Sequence, residues 1–523
     1  MPSAAVVGLL LLLATCSAFA HARPYHHDHP GFFDARQLLS DAPADRATER
    51  YRRAQKLLRA ASAGGGPPAA VPSTSIKPTD FGADPTGESI SSVALNKSIA
   101  ALLALARPDR VDSFGLFDLG GATLDLCGGV FKISEPVAIP VGYSNFKVRS
   151  GTLVASSTFR DANGTLLTIG AGDRGCNAPG TPGIMPGTCN RLVDISHVTL
   201  DAGRYAYGGL LINHTMDVNI GPAIMIVGYT GAGISLPDSG ATFIQHAWLG
   251  AIAPGSPTPR ANATGTAILL SHGQHDAMVE DIIIFSGMVG VRSENGANRI
   301  LGVHAWNLAG SDGGIGIELA VPWWKQKAGV SGGRVQNCYL DYAPLVVRHP
   351  GNLVVTDNLF LGSSAIVLAP VVERFEVRDV IITNNVHHTD NRGNASFVID
   401  ESVGSFAAAT DVTVTNNEVD AADARANKTS TRAELSAPLA PGDASARLSF
   451  GPYLLFPSVA IDKASIRCWL YGPHATATSA TLLEGAPHTV RVTLAQSVPS
   501  HLASGDVRVT CAVDQSARAC PAE

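Results

Sequence analysis

Charge is scarce in this chain. Only 16% of its 523 residues are charged, and the formal net charge is −6. Without a basic excess, nucleic acids and anionic membrane surfaces are poor partners. Past the first twenty residues no apolar run is long enough to span a bilayer, which excludes an internal helical anchor. Dense clusters of carboxylates are also missing, so nothing resembles a calcium site, and no cofactor or metal is expected. What is plentiful is apolar residues, at 45%, and glycine, at 53 residues. That mixture suits a turn-rich β protein and not a disordered chain.

Short apolar runs recur through the middle of the sequence: AILLS to Ser271, VGVR to Arg292, IGIE to Glu318, LVVR to Arg348, AIVLA around Ile366 and FVID around Val398. A second set ends in asparagine: RVQN to Asn337, VVTDN to Asn358, IITNN to Asn385 and VTVTNN to Asn417, at steps of 21, 27 and 32 residues. Runs this short and this rich in Val and Ile are strands, not helices. A strand-sized unit repeating at such intervals makes a solenoid. The expected fold is all-β, a right-handed parallel β-helix that adds one rung every ~4.8 Å. Asn337, Asn358, Asn385 and Asn417 would then stack in a column and hydrogen-bond along it.

Residues 1–20 read as a signal peptide. An apolar core over residues 4–13 precedes Ala18-Phe19-Ala20, although the charged flank is absent, and cleavage is expected after Ala20. The mature protein would be secreted. Residues 21–74 form a leader, with His21, His26, His27 and His29 in a solvated tail, a basic amphipathic stretch at 45–61, and the linker Gly64-Gly65-Gly66-Pro67-Pro68. The body runs over 75–420, opening with a turn-rich segment and a capping helix near 92–105. Residues 433–523 change to alternating strands, a small antiparallel β domain. The N-glycosylation triplets lie at Asn96, Asn163, Asn213, Asn262, Asn394 and Asn427. Cys176 and Cys189 bracket a Gly/Pro-rich loop and are the expected disulfide. Cys468 has Cys511 or Cys520 to pair with, and Cys127 and Cys338 are expected as buried thiols within strands.

The segments DFGADPTG (80–87), GGVFKISEPVAIP, GVHAWN (302–307) and GGIGIEL resemble the pectate-lyase-type β-helix superfamily. They are most similar to the plant QUARTET-type polygalacturonases, relatives of glycoside hydrolase family 28. The resemblance covers roughly 75–419 and implies a monomeric, secreted enzyme of the cell wall acting on pectic polysaccharide. The catalytic signatures of family 28 (Asn-Thr-Asp, Gly-Asp-Asp, Gly-His-Gly, Arg-Ile-Lys) are not intact. No Asp-Asp pair occurs anywhere, and Ser271-His272-Gly273 and Arg299-Ile300-Leu301 are the nearest echoes. Catalytic residues must therefore be sought from geometry.

Inverting hydrolysis of a glycoside uses two carboxyl groups roughly 6.5–9.5 Å apart. Neighbouring rungs of a β-helix supply such separations. Aligning the first-strand runs on their apolar residues points Ile268, Val289, Ile315 and Leu345 inward, with Leu270, Val291, Ile317 and Val347. Ser271, Arg292, Glu318 and Arg348 then face outward in one column. That column is either a surface ion-pair ladder or a groove in which Arg292 and Arg348 grip uronate carboxylates. Asp312 and Asp341 precede successive strands and are the candidate catalytic pair, with Glu318 as an alternative acid. As plain turn residues they would need no such role. His275-Asp276 could form an oriented acid–base pair or a coil corner. His304 would assist, or simply pack within its strand. Trp323 and Trp324, in the long insertion after Glu318, are the expected sugar contacts, with Trp306 in the same class.

The reaction expected is hydrolysis of α-1,4-galacturonosyl bonds, with Asp341 or Glu318 as acid and Asp312 as base. Its rivals are β-elimination by a pectate-lyase-like site and a non-catalytic wall-binding protein. Products separate the first two, because an unsaturated uronide absorbs in the ultraviolet.

Overall fold

The computed structural model describes residues 74–161, 163–172, 188–252, 264–306, 314–320, 331–389, 395–419, 430–472 and 477–517. Two parallel sheets run its length. One has ten strands, stacked one per coil from Val137–Pro140 to Phe397–Ile399; the other has 21 and carries two strand segments in most coils. The result is a right-handed parallel β-helix, as the repeat predicts. Its core is a single apolar column, with Ile268, Val291, Ile317, Leu345 and Ile366 all at 0% exposure. No helix among the described residues is long and apolar enough to cross a membrane.

Both ends of the column are closed. At the start, the helix Ser92–Leu103 buries Leu95, Ile99 and Leu102, spaced at three and four residues, against the first coils. The turn before it is tied by one carboxylate. Asp84 accepts from the backbone and hydroxyl of both Thr86 and Ser89 at 2.7–2.9 Å. These bonds, led by the Thr86 hydroxyl, hold its pKa below the usual carboxylate range. The DFGADPTG segment therefore has a structural job. At the far end, Leu455, Phe456 and Val459 enter the core, and Phe456 meets Phe406 edge-on at 5.1 Å. The strand Ser516–Ala517 then pairs in parallel with Ala409–Thr410 of the last long coil, and the Ser516 hydroxyl accepts from Val412 N at 2.7 Å. An exposed strand edge is an aggregation template, and this pairing covers it in part.

The strands between Arg432 and Asp514 form a sandwich of two three-stranded antiparallel sheets with its own core. Cys468 and Cys511, directly opposite across its strands, form a disulfide. Cys189 is also disulfide-bonded, while its expected partner Cys176 lies outside the described residues. Cys338 is a buried free thiol. Cys127 is not: it sits past the end of its strand in a left-handed turn (φ 52°) and is exposed, because Cys127-Gly128-Gly129 turns the chain.

Each coil bends midway through the large sheet at a residue in the left-handed region: His246, Asp281, Gly302, Asn337, Asp357, Asn384 and Asn416, with φ between 50° and 60°. Asn, Asp and His tolerate this conformation best among residues with a side chain. The next residue begins the polar ladder. Asn358 Nδ2 donates to Asn385 Oδ1, and Asn385 Nδ2 to Asn417 Oδ1, each at 2.9 Å. The same oxygens also accept the backbone N–H groups of Asn358 and Asn385 at 3.1 Å. Asn337 does not join this column. It is the bend residue, and Cys338 occupies the ladder position, its N–H bonded to Asn358 Oδ1 at 2.9 Å. The asparagine doublets of the later coils supply one residue to each role.

Register corrects a second expectation. Ile268 lies beside Val291, not Val289, and Ile317 beside Leu345, so Leu269, Arg292, Glu318 and Val346 form one column. Ser271 and Arg348 fall outside it, and Val289 and Ile315 are half-buried ends of their strands. A slip of two residues leaves every side chain on its expected face, so alternation alone cannot fix the register.

Two measurements follow. Asn385→Ala leaves the buried backbone N–H of Asn358 without an acceptor and its side-chain amide with only the Val335 carbonyl, and should lower stability by about 3 kcal/mol in chemical denaturation; an unchanged midpoint would rule out an energetic role for the ladder. His387 is buried and stacks on Phe360 at 4.5 Å, and neither ring nitrogen has a partner among the described residues. Burial pushes its pKa down from 6.5 to about 4. Between those values the unfolded chain takes up a proton that the native chain refuses. Stability should therefore fall by about 3 kcal/mol as pH drops through that window, and be unaffected by this group above it. His387→Phe should remove that part of the pH dependence.

Candidate functional site

Two groups of side chains gather on the outer surface. The first stands on the large sheet after the bend, where alternate residues point outward. Two residues past each bend lie Trp248, Ile283, His304 and Tyr339; four past it lie Gly250, Phe285, Trp306, Asp341, Leu361 and His388. Trp248 stacks on Phe285 at 4.0 Å, and His304 stacks on Tyr339 at 4.3 Å with rings inclined by 12°. Trp306 is 37% exposed and lies directly beside Asp341. This is a broad aromatic face carrying one carboxyl.

That carboxyl is perturbed. Loss of solvent raises the Asp341 pKa above the usual carboxylate value, and the neighbouring His304 pulls it back only in part. Desolvation lowers the pKa of His304, against the opposing pull of Asp341. Tyr339 is raised as well, by desolvation and then by Asp341. A half-buried carboxyl biased toward its protonated form, beside ring faces, can deliver a proton to a leaving oxygen.

The second group stands on the ten-stranded sheet. Glu318 is 7% exposed, and both its oxygens are taken: Arg292 Nη1 reaches Oε2 at 3.1 Å and Arg348 Nε reaches Oε1 at 3.3 Å. Arg348 does this diagonally, from two residues along the next strand. Arg292 Nε also lies 3.3 Å from Glu294 Oε1. The carboxylate between two guanidiniums is thus present by a route the alignment did not foresee. Each oxygen of this buried carboxylate already accepts from a guanidinium, whereas the guanidiniums are partly exposed, with side chains at 39% and 30%.

The remaining candidates fall elsewhere. His275 Nδ1 and Asp276 Oδ2 are 2.8 Å apart and exposed, at a corner where Asp276 is itself left-handed (φ 58°). They stand at the opposite end of their coil from the aromatic face. Asp312, Trp323 and Trp324 lie outside the described residues, as do Asn262, Asn394 and Asn427. Asn96 and Asn163 are exposed, and Asn213 is half-buried, its amide nitrogen 3.5 Å from the Gly170 carbonyl. Sequence reasoning overlooked Trp248, Phe285, Tyr339 and His388. Their signal was the fixed offset from the bend residue.

Comparison with known proteins gives a relative in the expected family. Polygalacturonase QRT3 of Arabidopsis thaliana is 29% identical over 366 residues, covering 68% of this chain and 69% of the relative. No family model matches the chain. Among solved structures, the adhesin PfbA of Streptococcus pneumoniae aligns over 66% of this chain and 91% of its own, at 14% identity and a TM-score of 0.41. An exopolygalacturonase from Thermotoga maritima aligns over 61% and 87%, at 12% identity and 0.33.

If Glu318 links the two guanidiniums energetically, their substitutions must couple. In a double-mutant cycle, Arg292→Ala should cost about 1 kcal/mol less in a Glu318→Gln background than in the native chain. Strict additivity would reduce the triad to a chance arrangement of neighbours.

Proposed function

We propose that this chain, like the plant polygalacturonase it resembles, is a secreted hydrolase of α-1,4-galacturonosyl bonds in the pectin of the cell wall, working by inversion. The observation that carries the reading is Asp341: a carboxyl with a raised pKa on an outward aromatic face, beside His304. In this scheme Asp341 protonates the glycosidic oxygen, and Asp312, six residues past Trp306 in the sequence, takes the proton from the attacking water. Trp306 and Tyr339 support the apolar ring faces of the sugars.

Arg292 and Arg348 each contact one oxygen of Glu318 and keep donors available for uronate carboxylates. The polysaccharide would then cross the short corner at 342–344, from the aromatic face onto the ten-stranded sheet. Glu318 becomes the residue that orients these arginines and is not the acid. Trp323 and Trp324, which follow Glu318 in the sequence, would add sugar contacts. His275 and Asp276 have no part in the chemical step.

Polygalacturonate is the test substrate. Hydrolysis releases reducing ends without ultraviolet absorbance, whereas elimination gives an absorbing unsaturated uronide. Asp341→Asn and Asp312→Asn should each lower turnover by roughly 10²–10⁴-fold in a folded protein. Because the acid must be protonated, kcat/KM should decline as pH rises through the raised Asp341 pKa. His304→Gln removes a cation that lowers that pKa, so the alkaline limb should move upward. Binding without release of reducing sugar over a broad pH range would leave a wall-binding protein instead.

A further inference from the structure

The carboxyl-terminal sandwich carries a second surface. Its sheet of Arg432–Leu439, Val507–Asp514 and Arg467–Tyr471 turns Leu435, Leu470, Val509 and Cys511 toward the sandwich core. By alternation, Trp469 and Tyr471 point the other way. They stand two residues apart on an edge strand, opposite Thr510 and Arg508. Tyr471 is 59% exposed. The core of this small domain uses neither ring.

The same sheet face ends in a cavity of about 770 Å³, whose lining includes Arg432, Glu434, Asp462, Ser465, Arg467 and Asp514. Its charges are largely satisfied from within. Arg432 pairs with Asp514 at 2.7 Å, Asp462 accepts from Ala464 N at 3.0 Å, and Arg467 donates to the Ala464 and Ile466 carbonyls at 2.7 and 3.0 Å. Two guanidiniums and three carboxylates share the lining, so it has no excess of cations. From Arg467 to Tyr471 the strand advances about 13 Å. The cavity and the two rings thus form one track, polar at one end and aromatic at the other.

We propose that this face is a polysaccharide-binding site, separate from the β-helix, that takes a glycan chain through its ring faces and hydroxyl groups. Aromatic rings match the apolar faces of pyranoses, and paired polar groups match hydroxyls. A lining without an excess of cations does not select for carboxylates, so esterified and free uronan should bind alike and salt should matter little. Nothing in this proposal requires the chain to hydrolyse anything.

Affinity electrophoresis of the full chain provides the test, in gels carrying either polygalacturonate or highly methyl-esterified pectin. The native protein should be retarded in both, at low and high salt. Trp469→Ala with Tyr471→Ala should weaken retardation at least about tenfold. Tyr471→Ala alone, at a position already largely in solvent, should weaken it severalfold without a change in thermal transition. The pair Trp469→Phe with Tyr471→Phe should retain binding. Unchanged retardation in the alanine variants would overturn the proposal, as would native retardation abolished by salt. So would a native dimer on a sizing column that the alanine pair dissociates, since the edge strand would then serve a second copy of the chain. Reducing-sugar release plays no part in these readouts, so they stand whether or not the chain is a hydrolase.

Discussion

The asparagine ladder and the aromatic face of this β-helix are both positioned by one backbone constraint: each coil must pass through a left-handed residue at the same point of the large sheet. The bend sets a count. One residue on, a side chain turns inward and, in the later coils, an asparagine there accepts the N–H of the rung before it. Two and four residues on, side chains emerge on the face that holds His304, Tyr339, Trp306 and Asp341. The ladder and the surface are two consequences of the same turn. Because neighbouring rungs lie ~4.8 Å apart, an error in the turn would propagate along the column.

The two prominent carboxyl groups show how environment divides labour between like residues. Glu318 is buried, and its oxygens are saturated by guanidiniums. Asp341 has lost solvent and gained only one partial compensating charge, from a histidine that is itself driven toward neutrality. The charge of each opposes the shift that desolvation imposes on the other. A buried carboxylate with full pairing is a fixture of the scaffold, whereas one with a deficit of pairing is chemically available.

How much of this could be read from the sequence depended on what kind of pattern recorded it. The solenoid was legible because strand length and repeat interval are both explicit in the chain. The capping helix and the sandwich followed from changes in periodicity. Register was not legible, because a slip of two residues along a strand keeps the same faces inside and out, and Val289 and Val291 serve equally well in such a pattern. The asparagine doublets hid a one-residue ambiguity, which moved Asn337 from ladder to bend. Cys127 looked like a strand residue because apolar neighbours precede it, yet the glycines after it turn the chain. The aromatic face was illegible for a different reason: its members are scattered over nearly a hundred residues, and only a correct register brings Trp248, Phe285, Trp306 and Asp341 to one surface.

The pairing of Ser516–Ala517 with the coil at Ala409–Thr410 sets an order of events in the making of the protein. A chain emerging from the ribosome completes its coils from the amino end, and those rungs can stack as they appear. The lock on the final edge, however, is synthesised more than a hundred residues after the strand it covers. Throughout that interval the solenoid ends in a row of unpaired backbone groups, open to any extended segment nearby. The nascent protein is thus vulnerable to mispairing until Ser516–Ala517 emerges, and loss of that strand would extend the exposure for the life of the molecule.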